Sequence, residues 1–243
     1  YSYRDKKIVN WDPEAKTTLS NEEVVYKEKT AKLFYLKYKL ESSEEFLLVA
    51  TTRPETIFGD TAVAVNPNVK RYRKLIGKKL IVPLVNRAVP IVGDNSVDLE
   101  FGTGCLKVTP AHSEKDFEIG LRNNLDVIDV FNDDASLNGY GMHYKSLDRF
   151  SVRKKIINEL DEKGLLDRSE DYSHNIALSE RTSCVVEPKL STQWFVKMKK
   201  LSKPALELVL NGDIQFYPKK YVKTYKNWLE NIRDWNISRQ LYW

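Results

Sequence analysis

The stretch GTGCLKVTPAHSEKD, Gly102 to Asp116, places a lysine, a threonine, a histidine and a carboxylate within ten residues around one turn. On a strand, Lys107 shares a face with Cys105 and Thr109, while Leu106 and Val108 share the other. Leu106 and Val108 are therefore expected in the core, with Lys107 and Thr109 facing a cavity or water. Asp116 follows Ser113 by three positions, the spacing of a capping box whose carboxylate would reach back to the Ser113 N–H. A second segment, ATTRPETIFGDT, carries Thr51, Thr52, Arg53 and Glu55 at the end of a strand. Pro54 keeps the Arg53 backbone extended, and an arginine there can grip a carboxylate or a phosphate. Plainer alternatives stand beside each: a solvated Lys107, a weak Arg53–Glu55 surface pair, and Asp116 as a helix cap.

Lys107, Thr109, His112 and Asp116 on one wall, with Thr51, Thr52 and Arg53 opposite, would suit a small zwitterionic group. A carboxylate can hold an ammonium, while a lysine and hydroxyls hold a hydroxyl or carbonyl and position a water. Hydrolysis of an activated ester matches that set, because it needs little beyond an oriented water and a stabilised oxyanion. The sequence has no nucleophile elbow, no H-E-x-x-H and no phosphate-binding glycine loop. Cys105 and Cys184 lack C-x-x-C spacing, and with three scattered histidines no metal site is expected.

The elements that would position these groups are mostly short strands. AKLFYLKYKL (31–40) and FLLVATT (46–52) read as a hairpin, and further strands are expected at 60–66, 79–85, 88–92, 105–109 and 127–131. So many short runs bounded by Gly, Pro and Asn predict a barrel or sandwich-like core. Helices are expected from Ser113 to about 123 and over 147–164, ending on Gly164. Ser202-Lys203-Pro204 and Pro218 are each expected to open another helix. Residues 31–178 thus read as a β-rich domain with inserted helices, and 1–30 and 179–243 as connecting arms.

The 243 residues, 42% hydrophobic and 30% charged, are those of a soluble globular protein, and no apolar run approaches the roughly 20 residues of a membrane span. From Lys189 onward there are eleven Lys and Arg against four Asp and Glu, in a chain whose net charge is only +5. With Trp194, Tyr221, Tyr225, Trp228 and Trp235, this basic segment could meet a phosphate backbone, although on composition alone a solvated helical face weighs more. A start at Tyr1 without a signal-peptide pattern and an end at DWNISRQLYW read as the cut ends of a piece of a larger protein.

Taken together, TTRPETIFGDTAVAVNP, VPLVNRAVPIVGD, GTGCLKVTPAHSEKDFEIG, SERTSCVVEPKLSTQWFVKM and DWNISRQLYW closely resemble the connective-polypeptide editing domain of the valyl-tRNA synthetases, over nearly the whole chain. Isoleucyl enzymes carry W-T-T-T-P-W where this chain has ATTRPET, and leucyl enzymes an S-R-Q-R-Y-W where it has SRQLYW. The resemblance implies a β-rich α+β fold, a mixed β-barrel editing domain with inserted helices. It implies hydrolysis of threonyl-tRNA(Val), with threonyl-adenylate as a second substrate to consider, while valyl-tRNA(Val) is spared. A site that hydrogen-bonds the threonine hydroxyl leaves buried polar groups unpaired when valine enters.

By motif position the family's pocket falls on Thr51, Thr52, Arg53, Glu55, Thr56, Phe101 and His112 for substrate binding, and on Lys107, Thr109 and Asp116 for catalysis. Ser113 departs from the aspartate usual after P-A-H in the family. The implied partners are the tRNA(Val) 3′ end, the threonyl moiety and the catalytic domain of the same parent chain, in a cytoplasmic monomer without membrane contact. Editing needs no cofactor, and ATP would be used by a synthetic domain whose H-I-G-H and K-M-S-K-S signatures this chain lacks. Two competing expectations are a non-catalytic tRNA-binding module and a folded fragment that is inert without the rest of a synthetase.

Overall fold

In a computed structural model that describes residues 1–99 and 102–241, the chain forms two sheets and a set of helices packed on them. The strands are β1 (Ser2–Asp12), β2 (Thr17–Leu19), β3 (Val24–Leu40), β4 (Phe46–Thr51), β5 (Ala62–Val65), β6 (Lys79–Ile81), β7 (Ala88–Gly93), β8 (Cys105–Val108), β9 (Leu166–Ser179), β10 (Glu187–Val196) and β11 (Trp235–Asn236). The helices are α1 (Lys70–Arg73), α2 (Glu114–Asn123), α3 (Arg149–Glu162), α4 (Met198–Leu210) and α5 (Tyr221–Glu230).

The larger sheet runs β4-β3-β6-β7-β5-β8, with β9 also paired to β3. It is mixed, since β5 and β7 are parallel and the other pairs antiparallel. The sheet curls into a half-barrel, and β8 at one end of the order comes to lie beside β4 at the other. Thr103 Oγ1 closes that seam by donating to the Leu48 carbonyl at 2.5 Å. Gly102 sits there at φ +57, and a Cβ on it would lie 2.5 Å from that of Ala50, so both its backbone angle and its space call for glycine.

Alternation along β5 explains how both faces of this sheet are buried. Val63 and Val65 point into the half-barrel with Leu36, Tyr38 and Val49, while Ala62 and Ala64 face Ile119 of α2. The small alanines let α2 approach closely. α3 begins on Asp148, whose Oδ1 accepts from the N–H groups of Phe150 and Ser151, and it buries Arg149, Val152, Ile156 and Leu160 on one stripe. β3 and β9 continue beyond the half-barrel as a long ribbon, paired from Val24–Ser179 to Leu36–Leu166 with a bulge at Tyr35/Leu36. The smaller sheet, β11-β10-β1-β2, joins the two terminal segments of the chain.

Several expectations need correction. The strand at 127–131 is absent: Val130 and Phe131 are buried in irregular chain, and the Val130 N–H is satisfied by His112 Nε2 at 3.1 Å instead of by a ladder. The strand expected at 79–85 stops at Ile81, because Leu84 and Asn86 adopt positive φ in the turn toward β7. Pro204 does not open a helix but lies inside α4, which begins six residues earlier where Asp234 Oδ1 accepts the Met198 N–H. β1, rich in charged residues, and β10, a mixed polar and apolar run, form the longest ladder of the smaller sheet without having been expected as strands.

Candidate active site

Lys107 is neither solvated nor free. On β8 it lies opposite Val63 of β5 and points into the half-barrel, 6% exposed. Its ammonium donates to Thr56 Oγ1 at 2.6 Å, to Thr109 Oγ1 at 2.6 Å and to Asp60 Oδ1 at 3.1 Å, which uses all three of its protons. Asp60, fully buried, also accepts from Thr109 Oγ1 at 2.7 Å and from Tyr38 Oη at 2.6 Å. The Tyr38 hydroxyl, buried and beside that carboxylate, has its pKa pushed well above the ordinary phenol value. Asp60 and Tyr38 are the members of this network that the motifs did not single out. The only trace of them in the sequence was the F-G-D-T that follows Thr56 and the alternation of β3.

Glycine makes the close approach possible. Thr56 and Asp60 are carried by a buried 3₁₀ segment, Pro54–Gly59, with proline in its first turn. A Cβ at Gly59 would lie 2.9 Å from both the Ile128 carbonyl and Thr109 Cγ2.

Asp116 stands at the start of α2 beside this network. Ser113 caps the helix, its Oγ accepting the Asp116 N–H at 3.3 Å. The reciprocal half of the capping box is not formed: Asp116 Oδ2 instead accepts the Thr109 N–H at 2.9 Å, tying the helix start to the end of β8. Burial raises the Asp116 pKa, opposed by the Lys107 charge and the Thr109 N–H. Leu106 and Val108 face α2, so β8 is covered on both sides and not on one only.

Arg53 lies in a chain of alternating charges. Its Nε donates to Glu55 Oε1 at 3.2 Å, its Nη1 to the His112 carbonyl at 3.4 Å and its Nη2 to Glu187 Oε1 at 2.5 Å. Glu55, fully buried, is held further by Arg153 at 2.7 and 2.8 Å, and Glu187 by Arg149. Burial would raise the Glu55 pKa, but Arg153 and Arg53 bring it below the ordinary glutamate value. The plainer alternative of a weak surface pair does not hold, because Glu55 is fully buried although the Arg53 side chain stays 28% exposed. Thr51 Oγ1 accepts the Arg53 N–H at 3.0 Å, and Thr52 is half-buried next to it. His112 is buried, and burial with Arg53 and Lys107 nearby holds its pKa well below the ordinary imidazole value. Phe101 lies outside the described residues.

The structure therefore brings Thr56, Lys107, Thr109 and Asp116 into one hydrogen-bonded set with Asp60, and Arg53, Glu55 and His112 into a second with Glu187. A groove of about 1140 Å³ between β1, α2 and α5 is lined by none of the expected site residues.

Over residues 1–243 the sequence matches the family described as tRNA synthetases class I (I, L, M and V), and the chain belongs to that family. Within it, the chain's similar relatives include valine–tRNA ligases. The chain is 58% identical over 241 residues to that of Christiangramia forsetii, 55% to that of Bacteroides fragilis and 53% to that of Thermotoga maritima. Each match takes in 99% of this chain and 28% of the relative, so the chain spans little more than a quarter of their length. Among solved structures, a LeuRS–tRNA–LeuAMS complex from Agrobacterium radiobacter K84 is a distant likeness, with TM-score 0.46 and 20% identity over 72% of this chain and 30% of that one.

Proposed function

We propose that this chain is the editing region of a valine-specific class I synthetase and hydrolyses threonyl-tRNA(Val), sparing valyl-tRNA(Val). The observation that carries this reading is the buried set Lys107–Thr56–Thr109–Asp60 joined to Asp116, a preorganised polar site in a sheet otherwise packed with apolar side chains. Membership of the synthetase family and similarity to valine–tRNA ligases support it.

In the proposed reaction a water attacks the ester carbonyl carbon, and negative charge develops on the carbonyl oxygen. Collapse of that intermediate breaks the ester C–O bond, releasing threonine and the tRNA terminal hydroxyl, which takes up the proton the water loses. Lys107, fixed by Asp60 and two threonines, supplies a cation that need not reorient as that charge appears. Asp116 holds the α-ammonium or the threonine hydroxyl, next to Thr109. Valine offers no hydroxyl, so its entry leaves a polar partner unsatisfied and the correct product is disfavoured.

The editing unit would occupy residues 31–178, with 1–30 and 179–243 as arms to a catalytic domain elsewhere in a cytoplasmic, monomeric parent. The tRNA 3′ end would be the bound partner, with Thr51, Thr52, Arg53 and His112 behind its terminal residue and no cofactor required. Deacylation of threonyl-tRNA(Val) should be faster with the chain than without it, and Lys107→Ala and Asp116→Ala should each slow it by on the order of 100-fold. Equal rates with and without protein would reject hydrolysis by this chain on its own and favour the fragment that is inert without the rest of a synthetase. Salt-sensitive RNA binding without hydrolysis would favour the binding-module alternative, which the exposed lysines of α4 and α5 support.

A further inference from the structure

Behind the pocket segments lies a carboxylate that belongs to none of them. Glu187 is the first residue of β10, opposite Trp11 on β1, and is 3% exposed. Its Oε1 accepts from Arg53 and its Oε2 from Arg149, which also donates to the Val185 carbonyl at 2.5 Å. Glu187 Oε1 also lies 3.9 Å from His112 Nδ1. Because His112 Nε2 accepts the Val130 N–H, the proton of the neutral ring is on Nδ1, a buried atom with no hydrogen-bond partner of its own. One side chain of the smaller sheet therefore meets the end of β4, the start of α3 and the turn that leads into α2.

The charges fix this arrangement more firmly than single hydrogen bonds would. Arg153, Glu55, Arg53, Glu187 and Arg149 alternate in sign, and both carboxylates are buried. Removing the Glu187 charge would leave Arg53 and Arg149 sharing a space without their common anion. Arg53 would then lose the contact that aims its guanidinium, and with it a constraint on the His112 carbonyl. The next residue, Ser113, caps α2, and Asp116 follows it by three positions.

We propose that Glu187 is a positioning residue that couples the smaller sheet to the pocket, so that the placement of β10 sets the geometry of Arg53 and of the 109–116 turn. Its kinetic consequence rests on the ester-hydrolase reading, whereas its structural consequence does not.

Glu187→Gln keeps the shape and removes the charge, and Thr192→Ala on the exposed side of the same strand serves as the control. In the full 243-residue chain, Glu187→Gln is expected to lower kcat for threonyl-tRNA(Val) deacylation by on the order of tenfold, with KM within about twofold. Amide hydrogen exchange should rise at residues 51–56 and 109–116 while the β3–β9 ladder stays protected. Thr192→Ala should change neither. Should the amide variant fail to fold, Glu187→Asp, with the charge kept and the reach shortened, carries the same readouts. Wild-type kcat together with unchanged exchange in the variant overturns the proposal, as does a uniform rise in exchange across the chain. If the wild-type chain itself does not deacylate, the hydrolase reading fails. Exchange confined to the two pocket segments would still uphold the coupling, and its absence would reject it.

Discussion

Lys107 and Asp60 show how much a single residue depends on what surrounds it. A strand lysine usually faces water, and this one is buried because a buried aspartate and two threonines, brought up in part by a short 3₁₀ turn, accept all its protons. Such a pair adds little net stability over an apolar replacement, but removing one partner leaves an uncompensated buried charge. Asp60→Asn is therefore expected to cost about 3 kcal/mol in urea unfolding. Tyr38→Phe, which removes one hydrogen bond to the same carboxylate, should cost about 1 kcal/mol. Similar losses for the two variants would mean that the charge of Asp60 is not what holds Lys107.

At the scale of elements, helix α2 is the piece whose start decides where Asp116 sits. Ser113 provides the cap, and Asp116 is freed from capping to hold the Thr109 N–H. Ser113→Ala should lower thermal stability by about 1 kcal/mol, whereas Ser113→Asp, an equally good cap, should stay within about 0.5 kcal/mol of the parent. A loss in the aspartate variant as large as in the alanine variant would show that the site rejects a second carboxylate next to Asp116. The cap and the helix were legible in S-E-K-D. The direction of the Asp116 side chain was not, because the competing donor, the Thr109 N–H, becomes available only once β8 ends beside it.

For the molecule as a whole, Glu23 ties three distant parts of the chain. It accepts from the Ser20 N–H at 2.8 Å, from Arg239 at 2.5 Å and from Arg181. Burial alone would raise its pKa, but these donors bring it down to about 2 from an ordinary 4.5. A depressed carboxylate contributes stability that is fully present above its unfolded pKa. That contribution is lost as pH falls through the folded value, here between about 4.5 and 2. Melting temperature should drop across that window, and Glu23→Gln should flatten the drop. An unchanged pH profile in the variant would place the acid sensitivity elsewhere, Asp94 with Arg122 being the next carboxylate held at about 2.

The sequence by itself determined the residue types of the two pocket segments, the alternation of β3, β4, β5 and β8, the capped start of α2 and the glycine stop after α3. All of these are local: period-two burial, turn chemistry and caps are written within a few consecutive residues. Tertiary structure alone decided which charges lose water and what they meet. Lys107 finds Asp60 across 47 residues and Arg53 finds Glu187 across 134, contacts that no local period encodes. The same holds for 127–131, where a β-like pattern stays irregular because His112 takes the Val130 N–H, and for charged β1 and partly polar β10, which are strands because each supplies the other's ladder.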